Sequence, residues 1–212
     1  MLRALRAVAA VAVLAGACTR TPPDDPITTV PTAPGETTAA PVTATTTPPA
    51  DPFAAPAVVD EAYVNRVLAA LDKVDGDALR SVVATRTVDR SAIERTRAIY
   101  NDPEFDVELA SLHRVLTPDR LAAFRSPPGD RRTEVRRISS SRPGCLVVEV
   151  TLDFSAVALS PPAFSPNERQ VIVLVPTQAG ANPKGLNPTP WSIRYDNVIT
   201  VGETDKEAMC PG

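Results

Sequence analysis

Along the chain, apolar residues first recur at three- and four-residue spacing and only later alternate singly with polar ones, which predicts helices followed by strands. Tyr63, Val64, Val67, Leu68, Leu71 and Val74 keep the helical spacing behind Asp60, a residue type suited to capping, so a first helix is expected over about 61–74. Asp75-Gly76-Asp77 reads as an interruption. Leu79, Val82 and Val83 then predict a shorter second helix folded back on the first. Ser91 followed three residues on by Glu94 has the capping-box pattern and opens a helix carrying Ile93, Ala98 and Ile99 towards Tyr100. Asp102-Pro103 is a cap with a first-turn proline ahead of Phe105, Leu109, Leu112 and Leu116, and Thr117-Pro118-Asp119 repeats the device ahead of Leu121 and Phe124.

Beyond Ser126-Pro127-Pro128-Gly129-Asp130 the period becomes two. Leu146, Val148, Val150, Leu152 and Phe154 alternate with Cys145, Val147, Glu149, Thr151 and Asp153, the mark of a strand with one buried face. Arg142-Pro143-Gly144 is a turn, and it implies a hairpin to a charged, irregular strand near 133–141 that belongs at a sheet edge. The run 171–175 is apolar on both faces and predicts a central strand, while Trp191, Ile193 and Tyr195 alternate on a last strand ending near Val201. Pro161-Pro162-Ala163-Phe164 and the stretch from Asn182 to Pro188 are long loops. Helices and then a mostly antiparallel sheet of about four strands make an α+β domain over residues 58–212.

Composition changes this picture at the N-terminal end. Many of the 23 prolines stand early, and residues 19–57 are built from Thr, Pro, Ala and a few acids, with almost nothing to bury. Such a stretch is expected to be an extended tether, reaching roughly 100 Å at ~3.1 Å per residue in polyproline II. Bare linker and O-glycosylated stalk are equally good readings of it. Phe53 is its aromatic residue and a candidate to dock on the domain. Ahead of the tether, Arg3 and Arg6 precede a short apolar run from Ala7 to Leu14, the order of an export signal over residues 1–17.

Leu14-Ala15-Gly16-Ala17-Cys18 resembles the lipobox of bacterial lipoproteins, with Ala15 where a leucine is common. The resemblance implies cleavage before Cys18 and diacylation of its sulfur; the alternative is an ordinary secretory signal cut near Ala17 that leaves a soluble protein with a free thiol. It places the protein on the outer face of the cell membrane, anchored by two acyl chains. Abundant alanine and only three lysines, Lys73, Lys184 and Lys206, are similar to the exported proteins of actinobacteria. In such a compartment disulfides persist, so Cys145 and Cys210 are expected to pair and tie the C-terminal tail to the sheet.

The order of elements from about 58 to 205 is similar to that of the NTF2-like (cystatin-like) fold, which implies a curved sheet wrapped around the first helix. That family spans isomerases, dehydratases, assembly factors and binding modules, so the likeness leaves function open.

Candidate chemistry is sparse. The formal charge of −3 gives no general attraction to nucleic acid. The one histidine, His113, sits beside the apolar face of its predicted helix and reads as exposed or capping, with a general-base role as the alternative. Asp102, Glu104, Asp106 and Glu108 read as acids complementing a helix dipole, without the glycine turn of a calcium loop. Glu149 and Asp153, ~13 Å apart along one strand face, read as solvated. Arg131, Arg132, Arg136, Arg137 and Arg142 surround the edge strand, where they block strand pairing or, as the alternative, grip anionic lipid or wall polymer; Arg132 and Arg136 are the binding candidates. Trp191 and Tyr195 are core aromatics or the rim of a ligand cleft.

No catalytic residue, metal site or cofactor is assigned. The expected function is that of a membrane-anchored envelope lipoprotein, a binding or accessory module for a ligand, protein, lipid or wall polymer. The alternative is an acid–base enzyme of NTF2-like type with a small apolar substrate.

Overall fold

The structure, a computed structural model, describes residues 51–160, 168–200 and 210. Cys18, the signal-like segment, most of the Thr/Pro stretch and the loop at 161–164 lie outside the described residues. The described chain is α+β. Four helices, α1 (Glu61–Thr85), α2 (Arg90–Ile99), α3 (Glu104–Val115) and α4 (Pro118–Ala123), precede four strands, β1 (Arg132–Arg142), β2 (Cys145–Asp153), β3 (Glu168–Pro176) and β4 (Trp191–Thr200). The strands form one antiparallel sheet in sequential order β1-β2-β3-β4.

α1 is one helix of 25 residues where the sequence predicts two. A glycine inside a helix costs only about 1 kcal/mol, which a well-buried face offsets. Gly76 is buried, and a Cβ there would collide with the Asp130 carboxylate, so the glycine admits a neighbouring loop rather than ending the helix. Arg80, one turn on, clamps that loop by pairing with Asp130 and Asp77, each at 2.6 Å. The helix starts on Asp60, whose side chain accepts from the Tyr63 amide, and it ends on Arg86 in the left-handed region.

Three predicted caps differ, Thr117 standing before Pro118 of α4 without a side-chain cap bond. Asp89, not Ser91, caps α2 by accepting from the Ala92 amide at 2.8 Å, and Glu94 instead pairs with Arg90 and Lys184. Asp102 makes no cap bond to α3, because it pairs with Arg97 at 2.7 Å.

The main core lies between the helices and one sheet face. Val64, Val67, Leu68 and Leu71 of α1 meet Ile99, Leu146, Val148, Val150, Ile172, Leu174 and Ile193, and Phe53 packs against this core. Trp191 Nε1 donates to the Tyr63 hydroxyl at 2.8 Å, and that hydroxyl donates to the Phe53 carbonyl at 3.1 Å. α1 also covers the outer edge of β1. The Thr133 amide donates to Asp72 and the Val135 amide to Asn65, so two edge amides that would otherwise face solvent are occupied.

β3 is central, with Ile172 and Leu174 on the helix side and Val171, Val173 and Val175 buried on the other. In β4 the expected alternation breaks. A register shift at Val173/Leu174 pairs Val173 with Tyr195 and Leu174 with Ile193, which turns Tyr195 to the face opposite Trp191 and Ile193. The same shift leaves Asp196 opposite Ile172, on the helix side.

Cys145 and Cys210 are joined by a disulfide with 5.6 Å between their Cα atoms, and Cys210 packs with Val147 on the outer sheet face. Their separation of 65 residues sets a large loop-closure entropy in the unfolded chain. Replacing both by serine is expected to lower unfolding free energy by about 4 kcal/mol in urea titration. An unchanged midpoint would show that the bridge does not restrain the unfolded chain.

Candidate functional site

At the end of the helix-facing layer, beyond Ile172 and Leu71, apolar packing gives way to charge. Arg131, just before β1, is held between α1 and β4: its Nε donates to Asp72 at 2.9 Å and its Nη1 to Asp196 at 3.1 Å. The Asp72 and Asp196 side chains are 4% and 5% exposed and that of Arg131 11%. Thr133 completes Asp72, donating through its amide at 2.7 Å and its hydroxyl at 2.9 Å. Gln170 of β3 donates to the remaining oxygen of Asp196. Every group in this inner part of the cluster is therefore paired.

Three further groups lie within electrostatic reach of Arg131. Asp75 stands one turn beyond Asp72 on α1, Glu108 comes from α3, and Tyr100 comes from the segment between α2 and α3. Tyr100 is fixed by a parallel bridge to Ile193, next to which the Asn101 amide donates to the Ile193 carbonyl at 2.8 Å. The Tyr100 ring is 0% exposed and its hydroxyl has no hydrogen-bond partner. Its nearest acceptor is Asp75, whose carboxylate the phenol favours as a donor. Asp75 and Glu108 keep part of their surface accessible, so the cluster opens outward on their side.

Four carboxyls around one guanidinium cannot all ionise cheaply in a partly desolvated site. Burial pushes Glu108 up to about 8, with Asp75 and Asp196 adding to the rise and Arg131 opposing it. Burial likewise raises Asp75 and Asp72, against the pull of Arg131 in both. It also holds the Tyr100 phenol well above its usual range, helped by Asp75 and Glu108. Glu108 thus carries a proton at neutral pH. The cluster can store and release that proton.

The residues singled out in the sequence fall elsewhere. His113 is exposed at the end of α3. Trp191 is built into the core through Tyr63, and Tyr195 is buried on the opposite sheet face, so the two form no common rim. The five arginines do not act as one group: Arg131 is buried in the acid cluster, Arg137 pairs with Glu149 at 2.5 Å, and Arg132 pairs with Glu134 at 2.6 Å. Arg136 is exposed. A shallow hollow of about 150 Å³ is lined by Arg132, Glu134, Thr151, Leu152 and Asp153. Glu149 is not solvated but sits between Arg137 and Arg169, which with Ser139 hold its carboxyl below the usual range against the cost of burial. Glu108 is not a helix-start acid, since it lies beyond the first turn and turns to the cluster.

Sequence reading missed Asp72, Asp75, Tyr100, Glu108, Arg131 and Asp196 as a set. One signal was present: Asp72 and Asp75 follow Leu68 at four and seven residues, positions that belong to the apolar stripe of α1. No family model, curated protein or solved structure matches this chain.

The raised Glu108 has a defined stability signature. The folded protein keeps a proton that the unfolded chain releases, so this contribution is complete below pH 4.5 and is lost as pH rises through about 8. Glu108→Gln does not titrate. Its stability relative to wild type is expected to climb between pH 5 and 9 and then level off, by at least about 1–2 kcal/mol after allowance for its partial exposure. Thermal unfolding across that range measures it, and parallel curves for the two proteins would contradict the raised carboxyl.

Proposed function

We propose that this protein is an exported lipoprotein, anchored through Cys18 to the outer face of the cell membrane, whose α+β domain binds a ligand at the end of a Thr/Pro-rich tether. The carrying observation is the cluster on the helix side of the sheet, where Arg131 organises Asp72 and Asp196 while Asp75 and Glu108 keep part of their surface exposed. A buried ion pair contributes little net stability compared with apolar packing of the same volume, so a task beyond folding accounts for its presence here.

On element order alone we also propose an NTF2-like lineage for the domain. The second functional reading is acid–base catalysis, favoured by Glu108 holding a proton near neutrality beside Tyr100. Against an apolar substrate stands the packing beneath the cluster, where Leu68, Leu71, Ile99, Ile172 and Ile193 are at most 1% exposed.

The test is purification of the native protein from envelope membranes, with mass spectrometry of its N-terminus and of the molecules it retains. A diacylated Cys18 is expected, together with a small molecule retained by wild type and lost from a Tyr100→Phe/Glu108→Gln variant. An unlipidated N-terminus, or retention of the same molecules by both proteins, would contradict the proposal. Chemical conversion of the molecule by wild type alone would favour the enzyme.

A further inference from the structure

The chain ahead of α1 is fastened to the domain at few points. Asp51, Pro52 and the run from Ala54 to Val58 are exposed, while Phe53 and Val59 are half-buried against the main core. We propose that residues 51–59 are a releasable strap, which docked through Phe53 pins the N-terminal approach to the Tyr63–Trp191 end of the domain and released lengthens it.

The docked contact is specific. The Phe53 carbonyl accepts from the Tyr63 hydroxyl at 3.1 Å, and that hydroxyl accepts from Trp191 Nε1 at 2.8 Å. Asp51 shapes the turn that presents Phe53, its side chain accepting from the Phe53 amide at 2.9 Å and its carbonyl from the Ala54 amide at 3.2 Å. One hydroxyl thus joins the strap to the first turn of α1 and to the start of β4.

The same contact is small enough to open. Among the described residues, the Phe53 carbonyl is the one polar group of residues 51–59 bonded to the rest of the domain. Ala54-Ala55-Pro56-Ala57-Val58 docks nothing, Val58 being 78% exposed. Ordering such a run costs backbone entropy at every residue, and one half-buried ring with one neutral hydrogen bond returns an amount of the same size. Docked and released forms are therefore close in free energy.

Release has a geometric consequence. From Phe53 to Asp60 the chain is folded back when docked, and it spans up to about 25 Å when extended. Tension on the N-terminal segment does work only on the form that lengthens, so pulling shifts the balance towards release. With an anchor at Cys18, a premise taken from the proposed function, the strap gives the domain a short reach and a long one.

The experiment compares the unlipidated chain from Cys18, labelled with ¹⁵N, with its Phe53→Ala and Phe53→Tyr variants. Trp191, the single tryptophan, reports from the far side of the Tyr63 hydroxyl. In Phe53→Ala the heteronuclear NOE of the Ala55, Ala57 and Val58 amides is expected to fall to free-chain values and the Trp191 indole proton to shift, with the α1 amides unchanged. Phe53→Tyr should keep both as in wild type. Relaxation dispersion at the wild-type Ala54 amide should reveal a minor state of about 1–10% whose shift matches that amide in Phe53→Ala. Strap amides equally ordered in Phe53→Ala and wild type, strap amides already free in wild type, or no minor state would each overturn the proposal. None of these readings needs the lipid, so failure here strikes the strap alone, whereas an unlipidated N-terminus in the native protein strikes the anchor alone.

Discussion

One buried cation holds the polar end of this domain together. Arg131 reaches from the segment before β1 to Asp72 on α1 and Asp196 on β4, so the first helix, the edge strand and the last strand meet on a single guanidinium. Its planar fork permits this, since Nε and Nη1 point to different carboxylates. Removing one partner from such a buried pair costs about 3–5 kcal/mol, because the charge left behind is uncompensated. Asp72 couples the cluster to the edge of the sheet as well, by occupying both the amide and the hydroxyl of Thr133.

The remainder of the fold makes that arrangement durable. Ile193 and Ile172 are fully buried beside the polar groups and exclude water from their inner side, which strengthens the electrostatics there. The bridge between Tyr100 and Ile193 sets the phenol against the same point. On the other sheet face, Val171, Val173, Val175 and Tyr195 form a second core, to which the disulfide joins Cys210. Rigid apolar layers on both faces of β3 thus support side chains whose own interactions favour being solvated.

Sequence pattern was informative where one local rule acted alone. The alternation in β2, the doubly apolar run of β3 and the charged edge character of β1 each follow from period and burial, and the strands stand there. Rules failed where a distant contact decided. Gly76 and its flanking acids look like a break until Asp130 is seen to need the space of a side chain. Ser91 and Glu94 match a capping box, but Asp89 reaches the helix first and Lys184, ninety residues away, claims Glu94. Tyr195 left its expected face through a register shift that no spacing announces.

The candidate site was hidden for a related reason. Its members are scattered from Asp72 to Asp196, and each has an ordinary local explanation: Glu108 as a helix acid, Arg131 as one of an edge group, Asp75 as part of a turn. Only their convergence makes them unusual, and convergence is a property of topology. The most direct measurement is the ¹³C NMR titration of the Glu108 side-chain carboxyl in the intact domain. A midpoint of about 8 is the result that burial among Asp75, Asp196 and Arg131 predicts, and a midpoint near 4.5 would contradict it.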